Sequence, residues 1–315
     1  MTGDATQTAA PEQLGDPSFE ELPDAPPRRA LKLSRAGKIS VIIIALWVVL
    51  AVIGPFIAPY HEAEFIEEDS QGNYYLDPSF LPPNEQVWLG TDYLGRDIFS
   101  RILWGARTTL GISFAATMLA YLIGITLGIT AAVAGGWVDM LLSRLDDALL
   151  SIPTIMLALI IIAAFGSSIP LLILLAGLVY AAGIYRIARA LGQDIMVQDF
   201  VEAARARGEG LWWIITREIL PNAAMPIATD FGLRLIFIIL FISTLSFLGL
   251  GVQPPTADWG SMVRENLQGL GNGFAGGAVA SLAPAFAIGS LTIAINLVVD
   301  DLSAQAGGSL AKKMI

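Results

Sequence analysis

The sequence predicts an all-α integral membrane protein of six transmembrane helices. Three observations carry that prediction. Apolar residues make up 55% of the 315-residue chain and charged residues only 15%, with a mean hydropathy of +0.65, whereas soluble domains run at about 45–50% apolar and about 25% charged. The apolar residues gather in long runs nearly free of charge, each near the ~20 residues that a helix needs to cross a bilayer core of about 30 Å. The basic residues also divide unevenly between the two alternating sets of connecting segments, as the positive-inside rule requires of a multi-pass chain.

Residues 1–27 contain Asp4, Glu12, Asp16, Glu20, Glu21 and Asp24, with several prolines and no Lys or Arg. Such a composition predicts a disordered acidic tail, and it lacks the basic start of a secretory signal. Together with a basic juxtamembrane segment it forms an N-terminal region over 1–37. A six-span transmembrane domain follows over 38–303, and a short C-terminal tail over 304–315.

The first span is predicted over Ile39–Ala58, between Lys38 and His61. A second lies within Thr108–Val138. The stretch Ala148–Tyr185 is too long for one crossing and is broken at Gly166-Ser167-Ser168-Ile169-Pro170. That break makes it two spans joined by a tight turn, with Pro153 in the first turn of the earlier one. The fifth span is predicted over Leu235–Ala257, with a start near Pro226. The sixth lies within Asn266–Val299, from about Ser281, with the Gly-rich Gly269–Gly277 as loop. Small residues along the second span (Gly111, Ala115, Ala116, Gly124, Gly128, Ala131, Ala132) suit close helix packing in lipid.

Of 18 Lys and Arg, only Arg96, Arg101, Arg107 and Arg264 fall outside if both termini are cytoplasmic. Arg234 lies in the fifth span, so 13 lie inside. The expectation is an inner or plasma membrane protein of a prokaryote, N-in and C-in, with the acidic loop Glu62–Asp77 outside.

There is no Cys and a single His, His61, so neither a disulfide framework nor a metal site is predicted. No Gly-x-x-x-x-Gly-Lys-Ser/Thr phosphate loop occurs, and no constellation suggests hydrolysis within the chain. The one charge at membrane depth is Arg234, where insertion costs about 2.5–3.5 kcal/mol. Asp230 lies one helical turn earlier and within reach. The pair reads either as charge lining a path or as a structural ion pair, and the structural reading is favoured.

The most informative stretch is the longest predicted cytoplasmic loop, Asp199-Phe200-Val201-Glu202-Ala203-Ala204-Arg205-Ala206-Arg207-Gly208, continuing through Trp212-Trp213 to Ile219-Leu220-Pro221-Asn222. It predicts a short helix with a small-residue face (Ala203, Ala204, Ala206), halted by Gly208. A second short helix follows, anchored by the two Trp and closed by Pro221. Two such helices under a membrane either dock on a cytoplasmic partner or lie in the interface with no partner.

The pattern Glu-Ala-Ala, three residues, Gly, ten residues, Ile-Leu-Pro-Asn resembles the coupling-loop signature of ABC-importer permeases. Two further stretches are similar to the dipeptide/oligopeptide members of that family. One is Leu89-Gly90-Thr91-Asp92-Tyr93-Leu94-Gly95-Arg96-Asp97-Ile98-Phe99-Ser100-Arg101, before the second span. The other is Ser246-Phe247-Leu248-Gly249-Leu250-Gly251-Val252-Gln253-Pro254-Pro255 with Trp259-Gly260, at the end of the fifth. Length and motif order match the "C" permease of such systems rather than its "B" partner, over roughly residues 38–303. The family's Gly-Asp pair in the last span is Asp300-Asp301 here. The loop Glu62–Asn84 is longer and more acidic than the resemblance implies.

The resemblance implies a type I-like ABC importer fold and a non-catalytic membrane subunit for di- or oligopeptide import. The implied partners are a homologous second permease, two cytoplasmic ATPases that bind ATP and Mg, and an extracytoplasmic substrate-binding protein. It assigns ATPase coupling to Glu202, Ala203, Ala204, Arg205, Gly208, Ile219, Leu220 and Pro221. Alternatives are the same machine carrying nickel chelates or oligosaccharides, or an ion-coupled secondary transporter using Asp230 and Arg234.

Overall fold

The computed structural model describes residues 33–271 and 276–313. The acidic tail predicted over 1–27, and residues 28–32 of the basic segment after it, lie outside the described residues. Among those described, the chain is helical, with α1 (Arg35–Ile57), α2 (Ile98–Ala134), α3 (Gly136–Leu150), α4 (Thr154–Phe165), α5 (Ile169–Met196), α6 (Asp199–Ala206), α7 (Leu211–Ile214), α8 (Leu220–Phe247), α9 (Trp259–Glu265), α10 (Leu267–Gly271) and α11 (Gly277–Lys313). One turn of π-helix, Ile215–Ile219, joins α7 to α8. Five helices are long and apolar enough to cross a membrane alone, taking α7 to α8 as one, and α3 with α4 meets the same length and composition together as a bent pair, making six where that pair is one span.

The spans are where the uncharged runs predict them, but their ends differ. Helix α2 begins at Ile98, well before Thr108, because Asp97 caps it by accepting from the Ser100 N–H. At 37 residues it is about 55 Å long, longer than a bilayer core. Charge marks where a helix leaves lipid, not where it stops. Helix α5 likewise runs past Tyr185 to Met196. Its extension carries Arg186, which pairs with Asp146 and Asp147 at 2.8 Å each, and Arg189, which pairs with Asp139. Those acids belong to α3, so the ion pairs hold α3 along α5.

The third crossing differs most from expectation. Helix α4 has 12 residues, about 18 Å, too short to span alone. It meets α3 at 83°, and Pro153 is the residue before α4 rather than within its first turn. The predicted break after α4 is correct: Gly166 takes φ +80° and Ser168 caps α5.

The fifth crossing starts at Leu211 rather than near Pro226 and stops at Phe247 rather than Ala257. Residues 248–258 leave the helix through Gly249, at φ +83°. The sixth crossing begins at Gly277 rather than Ser281, and its helix continues to Lys313, through residues assigned to the tail. Gly269–Gly271, expected in a loop, belong to α10. A Cβ on Gly269 would stand 2.7 Å from the Phe80 ring and 2.8 Å from the Gly277 Cα, so glycine here permits close approach rather than a loop. Residues 272–275 of that predicted loop lie outside the described residues.

Packing explains the small residues. A Cβ on Gly128 would fall 2.6 Å from the Tyr185 carbonyl oxygen, so α2 and α5 approach backbone to backbone. One buried cluster joins α2, α4, α5 and α8 through Ile112, Ala158, Leu172 and Ile242. A second gathers α2, α8, α9 and α11 around Trp259. Large apolar side chains such as Phe56, Ile160, Phe165 and Phe286 are exposed on the bundle's outside, a surface that belongs in lipid.

Candidate functional site

Helix α6 is stopped as the sequence predicts. Gly208 takes φ +82°. Its N–H donates to the Arg205 carbonyl at 2.9 Å, and the Glu209 N–H donates to the Ala204 carbonyl at 3.1 Å, the paired bonds of a Schellman cap. A Cβ on Gly208 would meet nothing within 4 Å. The position needs glycine for its backbone angle, not for space.

The small-residue face is divided. Ala204 and Val201 are fully buried against Ile129, Ile214 and Ile219 of the same chain. Glu202, Ala203, Arg205 and Ala206 are exposed. Ala204 and Ile219 therefore fix the loop on its own bundle, while Glu202, Ala203 and Arg205 present its outer face. Trp212 is exposed and Trp213 half-buried, with the Arg207 guanidinium 5.9 Å from the Trp213 ring centre. Leu220 is half-buried and Pro221 exposed.

Pro221 does not close a second short helix; it sits in the first turn of α8. Proline removes one backbone N–H and crowds the carbonyl four residues back. The π turn just before it widens the helix at that carbonyl, and the Leu220 N–H donates to Ile215. The Asn222 side chain donates to the Glu218 carbonyl at 2.7 Å. Helix α7 and the fifth crossing are thus one continuous rod from Leu211 to Phe247, with α6 set apart from it by the turn at Gly208.

Asp230 and Arg234 pair on α8 at 3.3 Å. Tyr121 of α2 donates its hydroxyl to Asp230 at 2.6 Å, a partner that sequence spacing does not reveal. A Cβ on Gly183 of α5 would lie 2.8 Å from the Arg234 guanidinium. The pair is half-buried and enclosed by α2 and α5, an arrangement suited to a structural tie.

A constellation absent from the sequence-based site lies at the opposite end of α2. Arg96 pairs with Asp92 at 2.7 Å and with Glu265 at 3.0 Å. Arg101 lies 3.5 Å from Asp92 and 3.3 Å from Glu265. All four are buried: Asp92 is 0% exposed, Arg101 1%, Arg96 3% and Glu265 8%. Two cations and two anions balance, which is how charge is tolerated away from water. Arg101 also donates to the Glu62 carbonyl at 2.9 Å, and the Tyr93 N–H to the Asn266 side chain at 3.0 Å. Beside this knot, burial pushes the Asp97 carboxyl above the ordinary carboxylate range. The motif before α2 is therefore a clamp onto α9. The spacing of Asp92 and Arg96 is the one local signal for it.

Residues 124–304 match the family model described as binding-protein-dependent transport system inner membrane component. Residues 28–83 match the model of the N-terminal TM domain of oligopeptide transport permease C. A dipeptide transport system permease protein of Alkalihalophilus pseudofirmus is 33% identical over 276 residues, covering 87% of this chain and 86% of that one. A glutathione transport system permease protein of Pectobacterium atrosepticum is 33% identical over 224 residues, covering 71% and 72%.

Proposed function

This chain belongs to the family of binding-protein-dependent transport system inner membrane components, and we propose that it is one of two permease halves in an ATP-driven importer of di- and oligopeptides. The observation that carries the proposal is the loop α6–Gly208–α7. Its inner face is fixed to the bundle by Val201, Ala204 and Ile219, and its outer face offers Glu202, Ala203 and Arg205. The peptide and glutathione permeases among its relatives support the choice of cargo.

The outer face docks on a cytoplasmic ATPase subunit. The exposed Ala203 lets the partner approach closely, and Glu202 and Arg205 orient it. The ATPases hold ATP and Mg, and closing them pushes on the loop. Because α6 packs through Val201 and Ala204 on Ile214 and Ile219 of the helix that continues into α8, a displacement of α6 reaches the fifth crossing through that contact. The bundle then alternates between facing outward, toward a binding protein, and inward. The permease contributes differential contacts between the two states, and the ATPases supply the energy. The excess of Lys and Arg in one set of loops supports N-in and C-in, with Asp230 and Arg234 as a structural pair.

ATP turnover of the complete complex in lipid nanodiscs tests this. Peptide with binding protein stimulates turnover in the wild type, and Glu202→Lys or Gly208→Trp abolishes docking or stimulation. Turnover indifferent to peptides and to both substitutions, in complexes verified to assemble, would refute the coupling role.

A further inference from the structure

A cavity of about 720 Å3 opens between α1, α2, α8 and α11. Its wall is apolar, with Val48, Phe56, Leu110, Phe231 and Ile295 prominent, except for one side chain, Arg107. Arg107 also lines a smaller neighbouring pocket of about 340 Å3 that carries Glu62, Trp104 and Thr108. Its side chain therefore stands where the two spaces meet.

The arginines around it differ. Arg96 and Arg101, on the same approach to α2, are buried and neutralised by Asp92 and Glu265. Arg107, about two turns further along α2, is exposed, and no carboxylate among the described residues stands within ion-pairing distance of it. An unneutralised guanidinium beside a low-dielectric wall focuses its field into the cavity. Its fixed fork of donors matches a carboxylate bidentately. Glu62 brings the opposite charge to the smaller pocket that Arg107 also lines, held in place because its carboxylate accepts the Ala257 N–H at 2.6 Å.

A cation between an apolar chamber and a smaller pocket that holds an anion fits a zwitterion whose middle varies and whose ends do not. We propose that Arg107 binds the terminal carboxylate of an incoming peptide, and that Glu62 supplies the counter-charge for its ammonium end. This rests on the peptide-importer reading. The apolar wall would tolerate diverse side chains, while the ends supply recognition common to all of them.

Initial uptake rates into proteoliposomes holding the whole complex and its binding protein test the proposal. The probes are one tripeptide as free acid, as C-terminal amide and as N-acetyl derivative. Affinity of the binding protein for each is measured separately, so that its own preference divides out. The free-acid to amide ratio is expected to fall about tenfold in Arg107→Gln, the worth of one charge-assisted contact. Arg107→Lys, which keeps the charge at the membrane edge, is expected to lose about threefold. Glu62→Gln is expected to lower the ratio of free to N-acetylated peptide. Unchanged ratios, or equal slowing of all probes as for a mere interfacial anchor, would overturn the proposal while leaving the importer reading intact. A wild-type complex that imports another solute but no form of the tripeptide would overturn both.

Discussion

The guanidinium of Arg101 and the carboxylate of Glu265 meet at 3.3 Å, the first fully buried and the second nearly so, although 164 residues separate them in the chain. With Arg96 and Asp92 they form a neutral group of four that ties the start of the second crossing to the short helix before the sixth. Breaking one member leaves a buried charge without its partner, which costs about 3–5 kcal/mol. Glu265→Ala is therefore expected to lower the thermal unfolding midpoint of the purified complex sharply. Arg264→Ala, one residue away but exposed, is expected to cost no more than about 0.5 kcal/mol. Comparable losses from both would show that the buried cluster is not what holds this region.

Gly208 supplies a second prediction. At φ +82° any L-residue with a Cβ is strained by about 1–2 kcal/mol, and asparagine tolerates that region best. Since the space around Gly208 is open, bulk alone does not disturb the chain itself. Peptide-stimulated ATP turnover should fall in the order Gly, Asn, Ala, Val at this position, while assembly of the two permease halves is retained. A ranking by side-chain volume, with Asn worse than Ala, would mean that steric fit to the partner rules instead.

How much was legible in the sequence follows from what lipid demands. Residues inside a bilayer must be apolar, so five long helices appear as uncharged runs, and Gly166 to Ser168 punctuates the chain where the fourth crossing begins. Helix ends were less legible, because Arg101 and Arg186 continue helices beyond the membrane through partners that no local pattern names. The bent third crossing was hidden because α3 carries acids that pair with Arg186 and Arg189 of α5. The loop's cap at Gly208 could be read from residue chemistry. That Ala204 turns inward and Ala203 outward could not, because it depends on Ile129 and Ile219 arriving from other helices. Pro221 misled because a proline reads as a stop, whereas the π turn before it makes it a start.

The close approach of α2 and α5 gives a third prediction. The Gly128 Cα faces the Tyr185 carbonyl, and an added Cβ would lie 2.6 Å away, closer than packed atoms approach. The nearest obstacle is backbone, so neither helix can yield by a rotamer change. Gly128→Val should force the pair apart, at a cost of about 1–3 kcal/mol or more, and lower the yield of folded protein. Gly111→Val, on the same helix where a Cβ meets nothing within 4 Å, should express normally. Equal expression would mean that the two helices are not packed at this distance in the membrane.

Asp230 and Arg234 allow a decision between a structural tie and a working charge. Removing Asp230 alone leaves Arg234 inside the bundle with its carboxylate gone and deprives the Tyr121 hydroxyl of its acceptor. Asp230→Ala should therefore destabilise by about 1–3 kcal/mol. Replacing both members by apolar residues of similar volume removes the charges together, and buried pairs so replaced are often neutral in stability. If the pair is structural, Asp230→Leu with Arg234→Met should restore the unfolding midpoint and retain ATP-driven uptake. A double variant that folds at wild-type stability yet transports nothing would make the charges part of the path. Uptake that follows an ion gradient and needs no ATP would go further, and would replace the ATP-driven reading with ion coupling.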